Sequence, residues 1–95
     1  MTPTLLLIED DAALRRSLAQ SFELEDITVI PASSFVMAKS HITRDFSGVI
    51  LSDIRMPGKD GFDVLAYACK TDPDLPVGLL TGQADVPMAA RAMAE

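Results

Sequence analysis

The stretch Leu5-Leu6-Leu7-Ile8-Glu9-Asp10-Asp11 decides the fold. Four apolar residues in succession stop abruptly at three acids. A run that is apolar throughout suits a strand buried on both faces of a parallel sheet. Val49-Ile50-Leu51 repeats the pattern and ends at Ser52-Asp53, and Val77-Gly78-Leu79-Leu80 repeats it again, ending at Thr81-Gly82. A less uniform run, Ile27-Thr28-Val29-Ile30, is expected to be a strand that stops at Pro31.

Helical spacing fills the intervals. Leu14, Leu18 and Phe22 recur at i, i+4, i+8, and Asp11 is the expected N-cap of that helix. Phe35, Ala38 and Ile42 form a second stripe, capped by Ser33 or Ser34. Phe62, Leu65 and Cys69 form a third, ended by Asp72-Pro73, while Val86, Ala89, Ala90 and Met93 begin a fourth. The order βαβαβαβα predicts an α/β domain with a parallel sheet and right-handed crossovers. No repeat, low-complexity segment or linker interrupts it, so residues 1–95 read as one domain. The last helical pattern has no cap or following strand, which suggests a fragment of a longer protein.

Composition narrows the class. The chain has 95 residues, 48% of them hydrophobic, and a net charge of -6. Its eight basic residues are scattered, without the basic stripe that nucleic acid requires. No apolar stretch reaches the ~20 residues of a membrane helix. Met1-Thr2-Pro3-Thr4 carries no cationic start of an export signal, and the single cysteine fits a reducing compartment. The expectation is a cytoplasmic protein with no direct nucleic-acid or membrane contact.

In open α/β sheets ligands bind beyond the carboxyl ends of the strands. Glu9 and Asp10 follow the first strand, Asp53 the third and Thr81 the fourth. If strands one and three are neighbours, their ends lie roughly 4.8 Å apart. Three carboxylates would then share one pocket, and such like charges need an offset. Oxygen ligands suit Mg²⁺, which accepts one or two carboxylates and keeps open positions for a phosphoryl oxygen. One carboxylate could then act as nucleophile toward phosphorus. Pro57, Gly58 and Gly61 make the following loop tight, holding the Arg55 carbonyl as a candidate extra metal ligand.

Three groups of residues, taken together, resemble response-regulator receiver domains of the CheY-like type. They are Glu9-Asp10 after residues 5–8, Asp53-x-x-Met56-Pro57-Gly58-x-x-Gly61, and Thr81-Gly82 after residues 77–80. Residues 52–58 and 81–89 look most like NtrC-type receivers, the C4-dicarboxylate transport regulators among them. The resemblance implies a flavodoxin-like (βα)5 fold with strand order 2-1-3-4-5, its last strand and helix absent from this chain. It implies a phosphoacceptor at Asp53 and Mg²⁺ bound by Asp10, Asp53 and the Arg55 backbone carbonyl, with Glu9 assisting through water. Thr81 would be the switch hydroxyl. Implied partners are a sensor histidine kinase, the AAA+ and DNA-binding modules of the same σ54-dependent activator, and a second copy as a homodimer. The family's functional lysine and aromatic switch residue would lie beyond Glu95. The piece alone is therefore expected to be poorly stable or to pair with another chain.

Other readings weigh differently. An Asp-nucleophile phosphohydrolase commonly places a second aspartate where Arg55 stands, so the chain is not expected to be an enzyme. A flavodoxin-type binder would need a Ser/Thr-rich phosphate loop after strand one. A pseudo-receiver that only binds partners is the alternative for the truncated chain. His41 reads as a solvated residue of helix two, Cys69 as a small buried hydrophobe, and Met88 and Met93 as core of helix four.

Overall fold

The computed structural model describes residues 3–56 and 58–80. Within them the chain runs β1 (Thr4–Ile8), α1 (Ala12–Glu23), β2 (Thr28–Ala32), α2 (Phe35–Lys39), β3 (Val49–Asp53), α3 (Gly61–Thr71) and β4 (Val77–Leu80). The strands form one parallel sheet in the order β2-β1-β3-β4. This is the doubly wound arrangement expected from the sequence, over the four described strands.

Two apolar layers hold it together, one on each face. Side chains alternate along a strand, so Leu6 and Ile8 join Ile50, Ala38, Ile42, Val64 and Ala68 under α2 and α3. Leu5, Leu7, Leu51 and Leu80 face the other way, where Leu18, Ala19 and Phe22 of α1 cover them. Leu5, Leu6, Leu7 and Ile8 are all fully buried. Each such side chain contributes about 1.5–3 kcal/mol, which is why β1 lies in the interior of the sheet.

The structure corrects several details of the sequence reading. β2 does not stop at Pro31 but runs through it to Ala32. The Thr28 amide donates to the Pro3 carbonyl toward β1, and the two-residue period turns position 31 away from β1. Proline's missing N–H therefore falls on the outer side of the terminal strand among those described, where no ladder bond is lost. α2 is only five residues long and ends at Lys39. Ile42 is buried from the turn that follows, and His41 lies exposed in that turn rather than on the helix.

The largest correction concerns α3. Phe62, Leu65 and Cys69 are exposed, Phe62 by 57%. The buried face is Gly61, Val64 and Ala68, with Tyr67 beside it in edge-to-face contact with Phe35. Small side chains let α3 lie close to the sheet, and the larger residues one position further round turn outward. Leu14 of α1 is likewise exposed, whereas Leu18 and Phe22 pack as expected. The fourth helical pattern, with Met88 and Met93, lies outside the described residues.

Candidate carboxylate site

β1 and β3 are adjacent and parallel, with Ile8 opposite Ser52. The next pair in that register is Glu9 and Asp53, at the carboxyl ends of both strands. Asp10 follows Glu9 where the chain leaves the sheet for α1. Carboxylate oxygens of Glu9, Asp10 and Asp53 all lie within 4.8 Å of one another. Burial grades across the trio: Glu9 is only 2% exposed, Asp53 half-buried and Asp10 exposed.

The surrounding bonds anchor each strand end to its neighbours. The Glu9 amide continues the ladder to the Ala32 carbonyl at 3.0 Å. Glu9 Oε1 accepts the Asp11 amide at 3.1 Å, while Asp11 caps α1 by accepting the Leu14 amide, also at 3.1 Å. Asp11, rather than Asp10, is thus the helix cap, leaving Asp10 free for the pocket. On the β3 side, the Ile54 amide donates to the Leu80 carbonyl and the Gly61 amide to the Ile54 carbonyl, both at 3.0 Å. The Arg55 amide reaches toward Asp53 Oδ1 at 3.4 Å, a long contact that leaves the carboxylate free to turn.

Electrostatics mark the trio as incomplete by itself. The Glu9 carboxyl is raised from its ordinary 4.5 to about 7, chiefly by burial and also by the neighbouring Asp53 and Asp10, against the lowering effect of the Asp11 amide. A buried carboxylate beside two others is stabilised by a cation. The donor set is all oxygen, open on the Asp10 side, and includes more than one carboxylate, which fits a hard divalent ion such as Mg²⁺.

Of the expected site residues, Glu9, Asp10 and Asp53 are brought together. Arg55 follows two residues after Asp53 with an exposed side chain. Thr81, and Pro57 of the loop, lie outside the described residues. Gly58 adopts a φ of 78° as the loop reading requires. Gly61 serves differently: its α-carbon lies so close to the Asp53 main chain that a Cβ would stand 2.6 Å from that carbonyl oxygen. Two features went unread. Asp60 and Asp63 form a reciprocal capping box at α3, legible in an acid followed three residues later by another. The Arg15 side chain donates to the Glu9 carbonyl at 2.7 Å, for which the sequence gives only a spacing of six residues.

Comparison with known proteins agrees with this geometry. The family model for the response regulator receiver domain matches residues 5–95. The C4-dicarboxylate transport transcriptional regulatory protein DctD of Rhizobium meliloti is 43% identical over 91 residues, covering 96% of this chain and 20% of that protein. The phosphoglycerate transport system transcriptional regulatory protein PgtA of Salmonella typhimurium is 36% identical over 90 residues, covering 95% of this chain and 22% of its own length. Among solved structures, the non-phosphorylated HemR receiver domain of Leptospira biflexa superposes with a TM-score of 0.79 at 29% identity, over 98% of this chain and 75% of that one. The HemR receiver domain shares the overall fold of this chain. The chain belongs to the response regulator receiver domain family. It spans about a fifth of the length of these two curated relatives.

Proposed function

We propose that this chain is the phospho-accepting switch of a two-component regulator, with Asp53 as the residue that takes the phosphoryl group. An Asp53 oxygen forms the new bond to phosphorus as the P–N bond of a kinase phosphohistidine breaks, and the released imidazole takes up a proton. Asp10, Asp53 and the Arg55 carbonyl hold Mg²⁺, with Glu9 acting through water. When bound, the ion supplies positive charge against the phosphoryl oxygens. Thr81, next in sequence after the last residue of β4, is the hydroxyl that answers the new charge.

The observation that carries this reading is the meeting of Glu9, Asp10 and Asp53 within 4.8 Å. Phosphoryl transfer asks a protein mainly for positioning and charge neutralisation, and a carboxylate trio around a cation meets that demand. Likeness to DctD supports a parent protein of the NtrC type, whose AAA+ and DNA-binding modules read the switch in the cytoplasm. The chain itself is then a substrate of the kinase and not an enzyme with turnover. Among the described residues no helix is long and apolar enough to cross a membrane.

The test is incubation with acetyl phosphate and Mg²⁺, followed by intact-mass measurement. One phosphoryl adduct is expected, lost in Asp53→Asn and lost on adding a chelator. No adduct, or one that persists in Asp53→Asn, contradicts the proposal.

A further inference from the structure

Arg15 sits on the first turns of α1 and is half-buried. Its Nη1 donates to the Glu9 main-chain carbonyl at 2.7 Å. That carbonyl has lost its natural partner. The Glu9 amide still bonds across to Ala32, but β2 ends there and the chain turns off into α2 through its cap, Ser34. A continued parallel ladder would have offered the amide of residue 34; a guanidinium from α1 takes its place. A charged donor makes a bond about twice as strong as a neutral one.

The bond falls at the turn where β1 gives way to α1. One residue earlier lies the buried strand, and one residue later lies Asp10. Any swing of the Glu9 peptide redirects Asp10, and it also breaks the contact between Glu9 Oε1 and the Asp11 amide. We propose that Arg15 is a positioning residue of the carboxylate site, fixing the Glu9 peptide so that Glu9 and Asp10 present their carboxylates to Asp53. The inference rests on the cation-binding reading given above.

The experiment uses ¹⁵N-labelled chain, titrated with Mg²⁺ and followed by amide shifts. In Arg15→Met the Mg²⁺ dissociation constant is expected to rise about tenfold, the lower end of what outer-shell partners of metal ligands contribute. Arg15→Lys, which keeps the charge but not the planar fork, is expected to fall between Arg15→Met and the unaltered chain. Before any metal is added, the Asp11 amide should shift and exchange faster in Arg15→Met. Arg16→Met, on the exposed side of the same helix, should change neither. Mg²⁺ affinity and an Asp11 amide in Arg15→Met equal to those of the unaltered chain overturn the inference. If Arg15→Met does not fold, Arg15→Lys decides, and unaltered affinity there overturns it equally. An unaltered chain that takes up no Mg²⁺ overturns the site reading itself, a separate and recognisable outcome.

Discussion

Gly61 and Asp53 touch through their main chains: a Cβ on Gly61 would lie 2.6 Å from the Asp53 carbonyl oxygen and 2.8 Å from the Ile54 α-carbon. Both neighbours are backbone, so neither can rotate away. On helix propensity alone alanine would be favoured over glycine by about 1 kcal/mol. Gly61→Ala is instead expected to destabilise the chain by about 1–3 kcal/mol, the usual cost of overpacking, and to weaken Mg²⁺ binding by displacing Asp53. Gly58→Ala meets no atom within 4 Å but is strained by its φ of 78°. It should cost about 1 kcal/mol and leave Mg²⁺ affinity unchanged. Thermal melts and a Mg²⁺ titration on both variants check this contrast.

Glu9 makes the metal-free chain sensitive to pH. Its carboxyl is raised from 4.5 to about 7, chiefly by burial, so the folded state binds a proton more tightly than the unfolded one. The stability this gives is complete below pH 4.5 and is lost as pH rises through about 7. Metal-free chain should therefore melt at a lower temperature at pH 8 than at pH 5.5. Glu9→Gln should flatten that slope, and excess Mg²⁺ should restore much of the stability at pH 8. A slope unaffected by Glu9→Gln would assign the pH dependence elsewhere.

The capping box of α3 offers a test away from the carboxylate trio. Asp60 Oδ1 accepts the amides of Phe62 and Asp63 at 3.0 Å, and Asp63 Oδ2 accepts the Asp60 amide at 2.8 Å. Asp60→Ala is expected to cost about 1 kcal/mol and Asp60→Asn much less, as read by urea midpoint. Equal losses in the two would mean that charge, not the cap, matters there.

Asp26 closes α1 with a φ of 61°. The Asp26 amide bonds to the Glu23 carbonyl and the Ile27 amide to the Phe22 carbonyl, the pair of bonds that ends a helix through a left-handed residue. Aspartate tolerates that conformation but glycine adopts it freely. Asp26→Gly should gain about 0.5 kcal/mol, the relief of left-handed strain less the entropy of glycine. Asp26→Val should lose more than that.

What the sequence disclosed and what it hid follow one physical line. Residues 5–8, 49–51 and 77–80 were legible as strands because burial on both faces leaves no polar residue to blur the run. The carboxylates were legible for the same reason: an acid directly after such a run must stand at the strand's end. α3 was misread because its buried side is built of Gly61, Val64 and Ala68, smaller than the exposed Phe62 and Leu65. Size guided the reading, whereas close approach to the sheet selected for smallness. Pro31 was misread because a proline's effect depends on which side of the strand its missing N–H faces, and pairing alone decides that. The Arg15–Glu9 bond and the close approach of Gly61 to the Asp53 main chain join separate elements, and spacing along the chain does not announce either contact.

The central claim is that Glu9, Asp10 and Asp53 act on one cation. Calorimetric titration of the chain with Mg²⁺ at pH 7.5 measures it most directly. One site per chain is expected, with binding lost in Asp10→Asn and in Asp53→Asn and weakened in Glu9→Gln. No Mg²⁺ binding, or binding that survives both asparagine variants, would contradict it.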